Sequence, residues 1–434
     1  MNATTFNETE AHALAEAITQ VSSSQPATEA AKLIQLALAR APQHPLVLNA
    51  AAGHYFRRDD ARRAHELYER AIALDPRSKV LRLNLANACR ALGDSVGEEA
   101  ALQQALSIEP RYVLALLQKA ELFERLGKSR DACIAFEAAL DSVASGTPAP
   151  QQAAPALQHA QQVVSASRVE LDKFLTQEIA AIRKQHAAAD QQRYEACEDL
   201  YLRKRRIYHS DPKEVLFPYL PALEFFERED FPWLDALEAA TDDIAGEALA
   251  AFHGDRPEFR PYVDFPPGTP IDQWGPLNHS TDWSVYSLWH DGDLIDAHAQ
   301  KCPKTAQILR ELPLCDVPGF APGAFFSVLK PRTRLPPHTG TTNTRSIVHL
   351  PLVVPKGCTF RVGSQVRTWQ KGKAWVFDDT IEHEARNESG EIRIILIFDI
   401  WNPFLSIAER DLVRALTVGI GRYYGSAAPV LGSR

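Results

Sequence analysis

Two histidines and one arginine in the C-terminal quarter of the chain have the types and spacing of a reaction centre. His338 lies in RLPPHTG and His383 in DDTIEHEA, each beside a short apolar run, and Arg393 follows the second histidine by ten residues. Neutral imidazole is a good ligand for Fe(II), Zn or Cu, and a turn at HTG with a strand end at IEHEA can bring two such ligands together. Ten residues is the distance at which the next antiparallel strand starts and returns alongside the ion. A permanently charged fork placed there can pair with a carboxylate. Metal beside a buried guanidinium suits a dicarboxylate cosubstrate that chelates iron through a 2-oxo acid end. Non-haem Fe(II) centres of this kind generally take two histidines and one carboxylate on a single face. Here the residue two after His338 is Gly340, so that carboxylate is missing.

The elements that must position these residues are short strands. AFFSVLK, SIVHLPLVV, TFRVG, KAWVFDD and IRIILIFDIW are separated by the turn clusters KPRTRLPPHTGTTN, PKGC and RNESGE. Many short strands at close spacing predict a sandwich or barrel, here a jelly roll. IRIILIFDIW is nearly continuous in apolar residues, as a strand buried on both faces would be. Upstream, the pattern predicts a helix over 231–252 with Pro232 in its first turn, a strand at WSVYSLW and a helix over 295–312. A terminal helix is expected over 406–420.

PHTGTTNTR, the HLPLVVPKGC run, RTWQKGKAWVFDDTIEHEARN and RIILIFDIWNP together resemble the aspartyl/asparaginyl β-hydroxylase family. The resemblance is close over 325–403 and more diffuse back to Pro218, where FFEREDFPWLDALE is also similar. In that family glycine occupies the third-ligand position, as Gly340 does. The resemblance implies His338 and His383 as iron ligands, Arg393 and Ser327 as the pair holding the distal carboxylate of 2-oxoglutarate, and His349 near its chelating end. Some members carry an arginine two residues before that histidine, where this chain has Ile347. Arg345, four before it, matches and is expected to compensate in part. The implied activity is Fe(II)- and 2-oxoglutarate-dependent hydroxylation of the β-carbon of Asp or Asn in a peptide or protein. The alternatives are a dioxygenase acting on a lipid or small-molecule acyl chain, and a catalytically silent repeat scaffold. Read alone, Ser327 is also a strand hydroxyl bonded to backbone, and His349 a satisfied core histidine. Asp378 and Asp379 are expected to shape the turn before His383, Trp369 and Trp401 to pack, and Trp283, Tyr286, Trp289 and His290 to line the substrate mouth.

The N-terminal third is a repeat array. Pro42, Pro76 and Pro110 are 34 residues apart and end the similar phrases LARAP, IALDP and LSIEP. Counting from Pro45, small residues recur at Ala52, Ala86 and Ala120, and again at Ala71, Ala105 and Ala139, where paired helices cross closely. Between them the series Ala64, Glu98, Ala132 has one misfit, for which Ala100 or Ala101 is expected to serve. The stretch 28–140 resembles the tetratricopeptide family, and a degenerate helix pair over 11–41 begins it. This implies a groove for a peptide or partner protein, or a spacer with an unused groove. A Pro/Ala/Gln-rich linker follows from Ser145, then a helical stretch over 156–208 whose apolar stripe packs on a neighbour. The fold class is therefore multidomain α + β: a tetratricopeptide solenoid (1–144), connecting helices (145–217) and a double-stranded β-helix, or jelly-roll, domain with flanking helices (218–434).

Composition sets bounds. The 434 residues exceed the size of one core. A net charge of -8 argues against nucleic acid, and the run LRKRR at 202–206 reads as a solvated helix face. Six scattered cysteines with no CxxC pair predict free thiols in a reducing compartment, leaving open whether Cys302 and Cys315 pair. The acidic N-terminus lacks a signal-peptide pattern and no apolar run spans a membrane, so a cytoplasmic protein is expected.

Overall fold

The computed structural model describes residues 8–24, 27–187, 191–254 and 256–424. They divide into two compact units, 1–192 and 193–434.

The first unit is built from helix pairs. Helices α1 (Glu8–Ser24) and α2 (Ala27–Arg40) precede α3 (Pro45–Phe56) and α4 (Ala61–Leu74), α5 (Lys79–Leu92) and α6 (Ser95–Ile108), and α7 (Val113–Arg125) and α8 (Ser129–Ala144). The last three pairs start at 45, 79 and 113, the 34-residue step of the proline phrases. Asp60, Ser78 and Asp94 cap α4, α5 and α6 by accepting the amide three residues on. Gly93 ends α5 at φ 73°, a conformation that favours glycine. Ala52, Ala86, Ala120, Ala71, Ala105 and Ala139 are all at 0% exposure, so nothing larger fits at those crossings. Glu98 is itself buried, its Oε1 taking a 2.6 Å bond from Arg125 Nη2, and of the two alanines nearby Ala101 is buried in the helix core while Ala100 is exposed.

The predicted linker is short and the helix after it differs from expectation. Helix α9 (Ala154–Arg183) packs on α8 through Ala160 and Val164, while Val169, Phe174 and Ile182 farther along it are exposed. Instead of continuing to 208, helix resumes only as α10 (Gln192–Tyr201). The basic run therefore follows a helix rather than lying on one, and within it Leu202 is buried and Arg205 pairs with Glu224 at 2.5 Å.

The second unit is a two-sheet sandwich. Its strands are β1 (Arg260–Pro261), β2 (Trp283–His290), β3 (Asp293–Leu294), β4 (Ala324–Leu329), β5 (Thr333–His338), β6 (Arg345–Val353), β7 (Cys358–Val362), β8 (Gln365–Thr368), β9 (Trp375–Phe377), β10 (His383–Asn387) and β11 (Arg393–Trp401). One sheet runs β1-β2-β4-β11-β6-β9 with β3 on β2, and the other β5-β10-β7-β8, every pair antiparallel. From β4 to β11 the chain winds between the two sheets in jelly-roll order. Strand β5 was not expected, because it contains Pro336 and Pro337; as an edge strand paired only with β10, it tolerates them.

The predicted helix over 231–252 breaks at Ala240 into α11 (Leu234–Ala239) and α12 (Thr241–Gly254). That over 295–312 breaks before Pro303 into α13 (Asp296–Lys301) and α14 (Pro303–Arg310), since proline donates no amide and suits only a first turn. Helix α15 (Ile407–Tyr424) is the last described element. Alternate residues of β4, β6 and β11 divide between two cores: Phe326, Val348 and Phe398 face the helices, and Leu329, Ile347 and Ile395 face the second sheet. No disulfide joins Cys302 and Cys315, which lie in different apolar clusters.

Candidate active site

His338 ends β5 and His383 begins β10, and the two are direct cross-strand partners. Their rings lie 4.1 Å apart between centroids. Each ring is oriented by its own strand: His338 Nδ1 bonds the carbonyl of Pro336 at 2.7 Å and His383 Nδ1 that of Ile381 at 3.0 Å. With both Nδ1 atoms donating to carbonyls, both Nε2 atoms are left as the lone-pair nitrogens. Burial pulls His338 down to about 4 and His383 well below its ordinary value, so both are neutral imidazoles at neutral pH.

A circuit of contacts runs from one histidine to the other through the space between the sheets. Phe360 and Phe377 each touch His383 (5.9 and 5.5 Å) and His349 (4.9 and 4.8 Å). His349 lies 6.0 Å from Trp369, over which the Arg393 guanidinium sits at 5.0 Å. Arg393 Nη2 donates to Ser327 Oγ at 3.3 Å, Trp283 Nε1 donates to the same hydroxyl at 3.1 Å, and the Trp283 ring closes the circuit 6.4 Å from His338. The chamber holds more polar atoms than it satisfies: His349 Nδ1, Trp369 Nε1, Arg393 Nε and Asp379 Oδ1 are buried without a hydrogen-bond partner. Arg393 is 1% exposed, no carboxylate among the described residues pairs with it, and burial lowers it to about 10. Orphaned donors around a buried cation are what an anionic ligand would satisfy. Two neutral imidazoles with free Nε2 atoms likewise fit a divalent metal. Among the described residues, no group of three or more His, Cys, Asp or Glu is placed to hold one.

Gly340 explains the absent carboxylate. A Cβ there would meet Asp379 Oδ2 at 2.1 Å, so the side chain of Asp379 fills the room that a third-ligand side chain would need. The two residues are also joined by Gly340 N–H donating to the Asp379 carbonyl at 2.6 Å. Burial raises the Asp379 carboxyl to about 7, against the opposing pull of Arg345. Only Asp378 shapes the turn, its Oδ1 accepting the Thr380 amide at 2.9 Å and hydroxyl at 2.6 Å.

The structure thus brings together His338, His383, His349, Ser327 and Arg393, and leaves Arg345 apart from the last two. Arg345 pairs with Trp401 at the opposite end of β11 from Arg393, about 26 Å away at 3.3 Å per residue. Its guanidinium is committed to Asp399 at 2.8 Å and Thr341 at 3.2 Å, so it does not replace a cation at Ile347. Ile347 is simply buried with the apolar lining between the sheets. Of the expected mouth residues, only Trp283 faces the chamber. Strand alternation sends Tyr286 into the core under the helices, Trp289 is buried in that core too, and His290 is exposed. Trp369 and Asp379 belong to the site although they were read as packing and turn residues; the bulky ring between two glycine turns and the doubled aspartate were the only signals. Trp274, 5.0 Å edge-on from His338, gave none.

The C-terminal unit is thus a two-sheet sandwich that sets a pair of neutral histidines and a buried arginine in the space between its sheets. Residues 238–403 match the model of the aspartyl/asparaginyl beta-hydroxylase family. The chain is 37% identical over 142 residues to human aspartyl/asparaginyl beta-hydroxylase, covering 32% of this chain and 18% of that protein. It is 34% identical over 135 residues to human aspartate beta-hydroxylase domain-containing protein 2 (30% and 37%). It is also 34% identical over 136 residues to the ornithine lipid ester-linked acyl 2-hydroxylase of Rhizobium tropici (31% and 46%). The chain therefore spans less than half the length of each of these relatives. Among solved structures, the first TPR of Spaghetti (RPAP3) bound to an HSP90 peptide aligns with 28% of this chain and 94% of its own at 24% identity and a TM-score of 0.25. The tetratricopeptide assignment rests on the 34-residue step of the helix pairs.

Proposed function

We propose that this protein is an Fe(II)- and 2-oxoglutarate-dependent dioxygenase that hydroxylates an unactivated C–H bond, by preference the β-carbon of Asp or Asn in a peptide or protein. The observation that carries the reading is the chamber itself, with two neutral histidines at one end and a buried, carboxylate-free arginine at the other. His338 and His383 would hold the iron through Nε2. Bound there, the iron supplies O2 activation coupled to decarboxylation of the 2-oxo acid. Arg393 and Ser327 receive the distal carboxylate, with Trp369 supporting the guanidinium from its ring face. His349, neutral through burial and the nearby Arg393 charge, stands between the two ends with Nδ1 available for a hydrogen bond. Phe360 and Phe377 keep water from the space between the histidines. Asp379, with a carboxyl raised to about 7, offers an unpartnered Oδ1 beside Gly340 that can hold or accept a proton.

Anaerobic titration with Fe(II) and 2-oxoglutarate tests this. A weak visible charge-transfer band is expected in the wild type and should vanish in H338A and H383A; a band that survives both overturns the ligand assignment. The Rhizobium relative, matched at the same identity as human aspartate beta-hydroxylase domain-containing protein 2, supports a second reading in which the acceptor is an acyl chain. The repeats favour a polypeptide, because a solenoid presents a surface suited to a peptide or protein partner. Capture of substrate by the inactive H383A chain, then a search for a one-oxygen mass gain with active enzyme, separates the two.

A further inference from the structure

The stretch Tyr208–Phe217 lies outside the residues that match the family and outside every helix and strand named above, yet it touches both histidine-bearing segments. Tyr208 Oη accepts from Arg361 Nη1 at 3.3 Å, and the same guanidinium bonds Glu382 at 2.8 Å and Glu384 at 2.9 Å, the two neighbours of His383. Ser210 Oγ donates to Asp378 Oδ2 at 3.0 Å and Asp211 N–H to the Thr380 carbonyl at 2.8 Å, both in the turn before His383. The strap then crosses to the other segment. Lys213 N–H donates to the Gly340 carbonyl at 3.0 Å, and the amides of Glu214 and Val215 donate to the Thr341 carbonyl at 3.1 Å each. Phe217 closes it, giving its N–H to Asn343 Oδ1 at 2.7 Å and taking Asn343 Nδ2 on its carbonyl at 2.9 Å.

The ladder pairs the two histidines with each other and His383 with Val362, but it does not reach the loops beyond them. β5 ends at His338 and β10 begins at His383, and the register shifts between His383 and Ala385. Beyond that point the two loops leave the ladder, joined directly by the Gly340–Asp379 bond. The strap binds the outward carbonyls of Gly340, Thr341 and Thr380, and so spans the same gap from the other side. Metal ligands must be held within about 0.5 Å of their working geometry, and outer partners set that precision.

We propose that Tyr208–Phe217 is a positioning strap for the metal centre, fixing the separation of the His338 and His383 loops and thereby the affinity for the ion. This rests on the reading of those histidines as ligands. It assigns a role at the site to residues that precede the hydroxylase-like region, in the stretch by which the chain passes out of its helical part.

The test uses the full chain stripped of metal and titrated with Mn(II). K213P, which deletes the donor to Gly340, should raise the Mn(II) Kd by about 10- to 100-fold. S210A and Y208F combined should raise it several-fold, with a Tm close to wild type. The anaerobic Fe(II)–2-oxoglutarate band should shift in the same variants, a signature that a staple acting on stability alone would leave unmoved. If K213P does not fold, the S210A/Y208F protein decides: wild-type Mn(II) affinity there overturns the strap. A wild type whose Mn(II) binding is unchanged by H338A and H383A overturns the metal reading and the strap with it.

Discussion

The two faces of the larger sheet are made from the same three strands and have opposite characters. Toward the helices, β4, β6 and β11 present Phe326, Val348, Leu350, Leu396 and Phe398, fully buried in one apolar cluster. Toward the second sheet the alternate positions set the polar Ser327, His349 and Arg393 among the apolar Leu329, Ile347 and Ile395, and His349 and Arg393 keep hydrogen-bonding atoms without a partner. A period of two lets one strand serve both ends. The dry face supplies the stability that allows the other to keep a desolvated cation and orphaned donors, which are unfavourable until a ligand arrives.

That contrast can be broken or sharpened experimentally. Phe398→Ala on the dry face should cost about 3–5 kcal/mol in urea unfolding while 2-oxoglutarate affinity per folded molecule stays the same; lost affinity would mean the faces are not independent. Arg393→Met should do the reverse. Cosubstrate affinity should fall about 100-fold, roughly 2.7 kcal/mol, with stability unchanged or slightly higher, because an unpaired buried charge is replaced by an apolar chain of similar length. Gly340→Ala, which drives a Cβ into Asp379, should cost about 1–3 kcal/mol, and the cost should disappear in a D379A background. The last test is in pH. His338 titrates near 4 folded and near 6.5 unfolded, so between those values the unfolded chain binds more protons. Metal-free wild type should therefore lose stability relative to H338Q as pH falls from 6.5 to 4, measured by denaturation at each pH.

What was legible in the sequence was periodic or local. The repeats announce themselves because each 34-residue unit writes its own contacts, and β11 because both its faces are buried. The histidine pair was legible through its flanking motifs. Strand β5 was hidden by Pro336 and Pro337, whose tolerance depends on there being no second neighbour, a fact of sheet order. Asp378 and Asp379 are chemically identical and adjacent, and only tertiary placement makes one a turn residue and the other the occupant of the space beside Gly340. Arg345 was assigned by its distance in sequence from His349; its pairing with Asp399 across β6 and β11 is set by register.

His338 and His383 face one another across an edge. β5 has one neighbour in its sheet, and its two prolines have no amide to give that neighbour. An ion held by both histidines would fasten this outermost strand to the next and close a chain loop from 338 to 383, the kind of closure that favours a folded chain over an open one. The reactive centre would then double as a rivet, and an enzyme emptied of iron would loosen first along the seam where its chemistry takes place.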